Sequence, residues 1–100
     1  MTMAKSHAHA TDFRAALQVF ALFGQPVRVA IFQRLARSPM TAGELAQTLP
    51  VSRTAVVQHL KRLEGAQLVA SSPEGRRRLY RTDRRGLAPL TRWLKRYSGE

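Results

Sequence analysis

A mainly helical domain carrying one small β-hairpin, in the order α-α-α-α-β-β-α, is the fold class this sequence predicts, and three observations predict it. Apolar residues recur at three- and four-residue spacing from Phe13 to Leu63, with capping signals between the segments. Beyond Leu63 that period gives way to a short β-prone run, a Pro-Glu-Gly turn signal and the alternating run Arg76–Thr82. From Leu87 the helical spacing returns.

Composition limits what such a domain can meet. One hundred residues suit a single core. Seventeen Lys and Arg against six Asp and Glu give a net charge of +11, while 44% apolar residues exclude a solvated polycation. The result is a folded domain with a strongly positive field, which attracts phosphate polymers or anionic membranes. The longest uncharged run, Ala15–Val27, has 13 residues and contains Gly24 and Pro26. A spanning helix needs roughly 20, so no membrane partner is expected. Arg14, Gln18 and Arg28 also spoil a secretory signal. With no cysteine there is no disulfide framework or thiolate metal site, and a cytoplasmic location is expected.

Residues 1–10 are small, polar and aperiodic, and predict a disordered tail ahead of one domain over 11–98. His7 and His9 in that tail make an incomplete metal set. Thr11 or Asp12 can cap a first helix carrying Phe13, Ala16, Leu17, Phe20, Ala21 and Phe23, which Gly24 can end. It is too apolar to lie free on so small a domain, and should pack on another helix of this chain or of a partner. Pro26 suits the first turn of a second helix. There Val27, Ala30, Ile31 and Leu35 form the buried stripe, with Phe32 beside it and Arg28, Gln33 and Arg37 outside. Ser38-Pro39 stops it. Thr41-Ala42-Gly43-Glu44 reads as a capping box opening a short third helix with Leu45, Ala46 and Leu49.

The fourth helix is the informative one. Ser52 can cap it, and Val56, Leu60 and Leu63 give an i, i+4, i+7 stripe. At about 100° per residue, Thr54, Gln58, Lys61 and Arg62 fall opposite that stripe, with Val57 on its flank. No acid lies between Ser52 and Leu63. In a major groove Gln can pair with adenine, Arg or Lys with guanine, and a Val or Thr methyl can touch the thymine methyl. Taken alone, the stretch equally fits an amphipathic helix with a solvated basic face. Two short helices in tandem, the second basic outward, form a helix-turn-helix.

Leu68-Val69-Ala70-Ser71-Ser72, the turn signal Pro73-Glu74-Gly75 and Arg76–Thr82 predict the hairpin, with Arg76, Arg77 and Arg78 at and just beyond its tip. Exposed arginines there suit phosphate contact or a narrow minor groove. From Arg76 to Arg96 nine Lys or Arg face one Asp, a local +8 of the total +11. In the last helix Leu87, Leu90, Leu94 and Tyr97, with Trp93 adjacent, make a seam for another helix, and Pro89 sits in its first turn. Three histidines and six scattered carboxylates provide no nucleophile–base pair, so no enzyme is expected.

The motifs carry a family resemblance over roughly Phe20 to Tyr97. They are Leu22-Phe23-Gly24-Gln25-Pro26-Val27-Arg28 with Ile31 and Leu35; Thr41-x-x-Glu44-Leu45-Ala46-x-x-Leu49; Val51-Ser52-x-x-x-Val56-x-x-His59-Leu60-x-x-Leu63; Leu68-Val69; and Gly75-Arg76 with Tyr80. In this order and spacing the chain resembles the ArsR/SmtB family of small winged-helix repressors. The resemblance implies a homodimer built on the first and last helices, which here would use Phe13, Leu17, Phe20, Leu87, Leu90, Trp93, Leu94 and Tyr97. It implies double-stranded DNA with an inverted repeat as the partner. Arg53, Thr54, Val57 and Gln58 become base-reading candidates, with Ser52, Lys61 and Arg62 on the same helix, and His59 structural or a phosphate donor. Arg76 and Arg77 or Arg78 become wing contacts.

Departures from the family pattern matter as much. The Cys-x-Cys pair of metal-sensing relatives falls at Thr41 and Gly43. In the terminal helix Asp83 is followed by Arg85 where a His would stand, with no His downstream. No metal or cofactor is expected at those places, and a small-molecule effector between the terminal helices stays open. Gln25 replaces the usual Asp before Pro26, and Gln67 the usual Gly before Leu68. The expected function is a cytoplasmic, dimeric, sequence-specific DNA-binding repressor. A basic winged-helix module that docks an acidic protein, or a non-specific nucleic-acid coat, is the alternative.

Overall fold

The computed structural model describes the backbone of residues 2–99 and the side chains of residues 13–99. Within them the chain forms α1 (Thr2–Phe23), α2 (Pro26–Arg37), β1 (Met40–Thr41), α3 (Ala42–Thr48), α4 (Arg53–Gly65), β2 (Val69–Glu74), β3 (Arg77–Thr82) and α5 (Ala88–Ser98), with a 3-10 turn, Arg84–Leu87, ahead of α5. Helix α1 runs through Thr11 and Asp12, the residues expected to open it. The side chains of the expected tail, His7 and His9 included, lie outside the described residues.

The core is a layer of helices closed by the sheet. Ile31 and Leu35 of α2, Leu45 of α3, and Val56, Leu60 and Leu63 of α4 pack with Leu68, Val69 and Tyr80. Each fully buried Leu or Val contributes roughly 1.5–3 kcal/mol by leaving water. Among the described side chains of α1 only Ala16 and Val19 are buried, because a helix can turn one face inward while Phe13, Leu17 and Phe20 take the other.

Three expectations are corrected here. Arg28, placed outside α2, is buried at 7% exposure, because it falls on the same 28, 31, 35 stripe as Ile31 and Leu35. The expected two-stranded hairpin gains a third strand: β1 pairs antiparallel with β3, Met40 opposite Tyr80 and Thr41 opposite Leu79, in the order β1-β3-β2. The hairpin itself is longer on one side than expected, since Pro73 and Glu74 belong to β2. Pro73 is tolerated because β2 is an edge strand. The turn is Gly75-Arg76, with φ +63° at Gly75 and no positive φ at Arg76, the pattern of a type II′ turn.

The junction after α4 fixes how that helix is held. Leu68 N–H donates to the Leu63 carbonyl at 2.9 Å and Gln67 N–H to the Glu64 carbonyl at 3.0 Å, a Schellman motif with Gln67 at φ +59° where glycine is the easy choice. Gly86 N–H then donates to the Gln67 carbonyl at 2.8 Å. A Cβ on Gly86 would lie 2.4 Å from the Ala66 carbonyl oxygen and 2.5 Å from that of Gln67, so the approach of the 3-10 turn to the end of α4 requires glycine.

Candidate nucleic-acid interface

Helix α4 is anchored at both ends and along one side, which leaves its other side free. At the start, Ser52 Oγ accepts the Ala55 N–H at 3.1 Å. Ahead of it, the capping box on α3 is complete: Thr41 Oγ1 accepts the Glu44 N–H at 3.1 Å and Glu44 Oε1 accepts the Thr41 N–H at 2.8 Å. Those bonds, the backbone one first, hold the Glu44 carboxyl below the usual carboxylate range, and Arg77 adds to the effect. Arg34 of α2 donates to the Thr48 carbonyl at 3.1 Å and closes the far end of α3. The two helices of the helix-turn-helix thus meet α2 and the sheet in a fixed pose.

With Val56, Leu60 and Leu63 at 0% exposure, the opposite side of α4 carries Thr54, Gln58, Lys61 and Arg62, all exposed, and Arg53 stands exposed in the first turn. None of these five makes a side-chain hydrogen bond or ion pair among the described residues, so their donors are unspent. Val57 is half-buried against the edge of the core. His59, also half-buried, faces α2 and accepts from Arg28 at Nδ1, 3.2 Å away. Burial first, then Arg28 and Arg62, push its imidazole below the ordinary value of 6.5. The residue that sequence reasoning missed is Arg28, and the spacing 28, 31, 35 was the signal that could have found it.

The wing arginines separate by role. Arg78 turns to the helix side, donating to Ser71 Oγ at 2.9 Å, and Ser71 donates to Glu64 of α4 at 2.8 Å, so this chain braces the wing against the helix. Arg77 lies 3.5 Å from Glu74 in an exposed pair, worth little in water. Arg76, in the turn, makes no side-chain bond among the described residues. Between α3, α4 and the wing lies an open cleft of about 430 Å³, lined among others by Glu44, Gln47, Arg53, Val57, Arg76 and Arg77. A groove edge that joins the exposed side of α4 to the arginines of a β-turn has the shape and charge to follow a phosphate backbone from major to minor groove.

A second surface stands apart from this one. Phe13, Leu17 and Phe20 on α1 are 50%, 47% and 43% exposed, and Leu94 and Tyr97 on α5 are 48% and 67% exposed. Phe20 meets Trp93 edge to face with centroids 5.3 Å apart, and Trp93 meets Tyr97 at 4.8 Å. Leu87 and Leu90, expected in the same seam, pack against the chain's own core. Asp83 and Arg85 at the head of α5 pair with one another at 2.7 Å, which lowers the Asp83 pKa and raises that of Arg85. Among the described residues no three His, Asp or Glu side chains gather as metal ligands would, and no single helix is long and apolar enough to cross a membrane.

Comparison with known proteins agrees with this arrangement. Residues 23–72, from the end of α1 into β2, match a family model described as a helix-turn-helix domain. The HTH-type transcriptional regulator Rv2034 of Mycobacterium tuberculosis is 46% identical over 87 residues, 87% of this chain and 81% of its own. The HTH-type transcriptional repressor SmtB of the same species is 35% identical over 86 residues, 86% of this chain and 64% of its own. Among solved structures, an ArsR-like transcriptional regulator from Rhodococcus sp. RHA1 superposes with a TM-score of 0.76 at 34% identity, covering 87% of this chain and 82% of that one. The unspent donor face of α4, the arginine wing and these relatives agree on one assignment: the chain belongs to the ArsR/SmtB family of winged helix-turn-helix transcriptional regulators.

Proposed function

We propose that this regulator is a homodimeric repressor that binds an inverted-repeat operator in the cytoplasm and blocks transcription there. The observation that carries the reading is the unbonded face Thr54, Gln58, Lys61 and Arg62 on a helix whose other side is wholly buried. That face enters the major groove, where Gln58 reads adenine, Arg53, Lys61 or Arg62 reads guanine, and Thr54 or Val57 offers a methyl to thymine. Ser52, spent as a cap, sits where the helix meets the backbone. Arg76 and Arg77 reach the adjacent minor groove, while Arg78 braces the wing. Affinity comes chiefly from counterions released by phosphates, and selection from the base edges.

Two copies are needed because one reader covers one half-site. The exposed stripe Phe13, Leu17, Phe20, Leu94 and Tyr97, with Trp93 behind it, is what the second copy would cover. A pair joined there would set two α4 helices one duplex turn apart, about 34–36 Å.

A footprint of the purified chain on the DNA upstream of its own gene, with competitor duplex present, tests the reading. A protected inverted repeat that survives competitor is expected. Binding that competitor abolishes would instead mean a non-specific coat, and indifference to DNA with capture of an acidic protein would mean a docking module. Within the complex, Gln58→Ala should cost roughly 1–3 kcal/mol at one base position and leave non-specific binding alone. Arg77→Ala should weaken every sequence and flatten the salt slope by about one unit.

A further inference from the structure

Arg28 is buried with no carboxylate paired to it among the described residues. It donates from Nε to His59 Nδ1 at 3.2 Å and from a terminal nitrogen to the Leu22 carbonyl at 3.3 Å. Burying a cation against neutral acceptors is costly, and a leucine would fill the stripe without that cost. The arrangement does, however, decide the chemistry of His59. An imidazole that accepts at Nδ1 carries its proton on Nε2. That Nε2–H has no hydrogen-bond partner among the described residues, and no buried polar side-chain atom there lacks one, so this donor opens to solvent. At about 100° per residue His59 lies on the flank of α4 next to Gln58 and one turn from Arg62, where the edge of a helix seated in a groove runs past the sugar–phosphate strand.

We propose that Arg28 is a positioning residue for DNA binding: it holds His59 as the Nε2–H tautomer and turns that donor toward a backbone phosphate beside the bases that Gln58 reads. The inference rests on the DNA-binding reading above and deepens it. A neutral N–H on an anionic oxygen is a charge-assisted bond, which fixes register and carries no sequence information. Because the donor is neutral it displaces no counterion, so it differs from the arginine contacts in leaving the salt dependence of binding unchanged. The Leu22 carbonyl on the other arm of Arg28 belongs to the last turn of α1, so one side chain ties the start of the terminal-helix layer to the reading helix.

The test uses the full chain labelled with 15N-histidine, alone and with its operator duplex, in long-range proton–nitrogen spectra. The free protein should show His59 with Nδ1 unprotonated and Nε2 protonated, and the Nε2 proton should exchange with water markedly more slowly once DNA is bound. His59→Asn keeps an acceptor for Arg28 and, being shorter, takes the donor away from the Nε2 position. It should lose roughly 10-fold in affinity on operator and random duplex alike, with an unchanged salt slope. Arg28→Lys should mix the two tautomers and lose a similar factor, and the double variant should lose no more than either single change. An Nδ1–H tautomer, an Nε2 proton that exchanges as fast in the complex as without it, a His59→Asn chain of unchanged affinity, or losses that multiply in the double variant would each overturn the proposal. Absence of any operator complex would overturn it together with the reading beneath it. If Arg28→Lys does not fold, the wild-type spectra and His59→Asn still decide.

Discussion

Two apolar faces of this chain use the same residue types and are covered very differently. Val56, Leu60 and Leu63 on α4 are at 0% exposure, closed in by α2, α3 and β2. Phe13, Leu17 and Phe20 on α1, with Leu94 and Tyr97 on α5, stay between 43% and 67% exposed. The α4 stripe has its own chain's elements on every side, whereas α1 and α5 have chiefly each other, and two helices cannot cover both faces of the layer they form. Among the described residues the chain's own elements close round the α4 stripe and leave the outer face of the α1–α5 layer open.

Breaking each face separately gives the largest expected effect. Leu60→Ala leaves a cavity and should cost about 2–5 kcal/mol, lowering the melting temperature equally at every protein concentration. Leu94→Glu should keep the helical circular dichroism of the wild type and abolish any rise of melting temperature with concentration, since it charges the exposed face and spares the core. Melting curves at several concentrations check both. If Leu94→Glu unfolds the chain as Leu60→Ala does, the two faces are not distinct.

Gly86 stands where the two layers join, so it tests whether the junction is rigid. A methyl there meets two backbone carbonyl oxygens within 2.5 Å, and neither can move as a side-chain tip would. Gly86→Ala should therefore cost about 1–3 kcal/mol, read by denaturant unfolding. A neutral result would mean that the 3-10 turn slides freely over the end of α4.

How far these features were legible follows from whether their signals are local. The stripe of α4, the Ser52 cap and the Thr41–Glu44 box are set by residues within two turns of one another, and each stands as its spacing indicated. Strand β1 could not be read, because Met40 and Thr41 become a strand only through Tyr80 and Leu79, some forty residues on. Arg28 was misplaced because long cations are ordinarily outside, although its spacing pointed inward. On the site, the unbonded faces of α4 and the three wing arginines were visible as composition. That Arg78 serves as a brace was not, since it depends on Ser71 and Glu64 coming together across the hairpin and α4.

The end of α4 offers a gain where the other changes give losses. Gln67 occupies the left-handed region at φ +59°, a conformation that costs a side-chain-bearing residue about 1–2 kcal/mol. Its backbone N–H and carbonyl are both bonded, and its side chain is exposed with no bond among the described residues. Gln67→Gly should raise stability by about 1 kcal/mol with DNA affinity unchanged. A destabilised Gln67→Gly chain would show that the side chain, not the backbone angle, matters at this corner.

The smallest effect expected is a pH slope from the rim of the closed face. His59 neighbours the 0%-exposed Leu60, and burial, then Arg28 and Arg62, oppose its protonation. The unfolded chain takes up that proton near 6.5, while the folded chain resists it. Between those two values the unfolded state binds more protons, so stability is complete above about 6.5 and falls as pH drops through the lowered folded value. His59→Asn cannot titrate, and its unfolding free energy should lose this part of the slope. Matching slopes for wild type and His59→Asn between pH 7 and 5 would mean that burial and the two arginines do not oppose protonation at this rim.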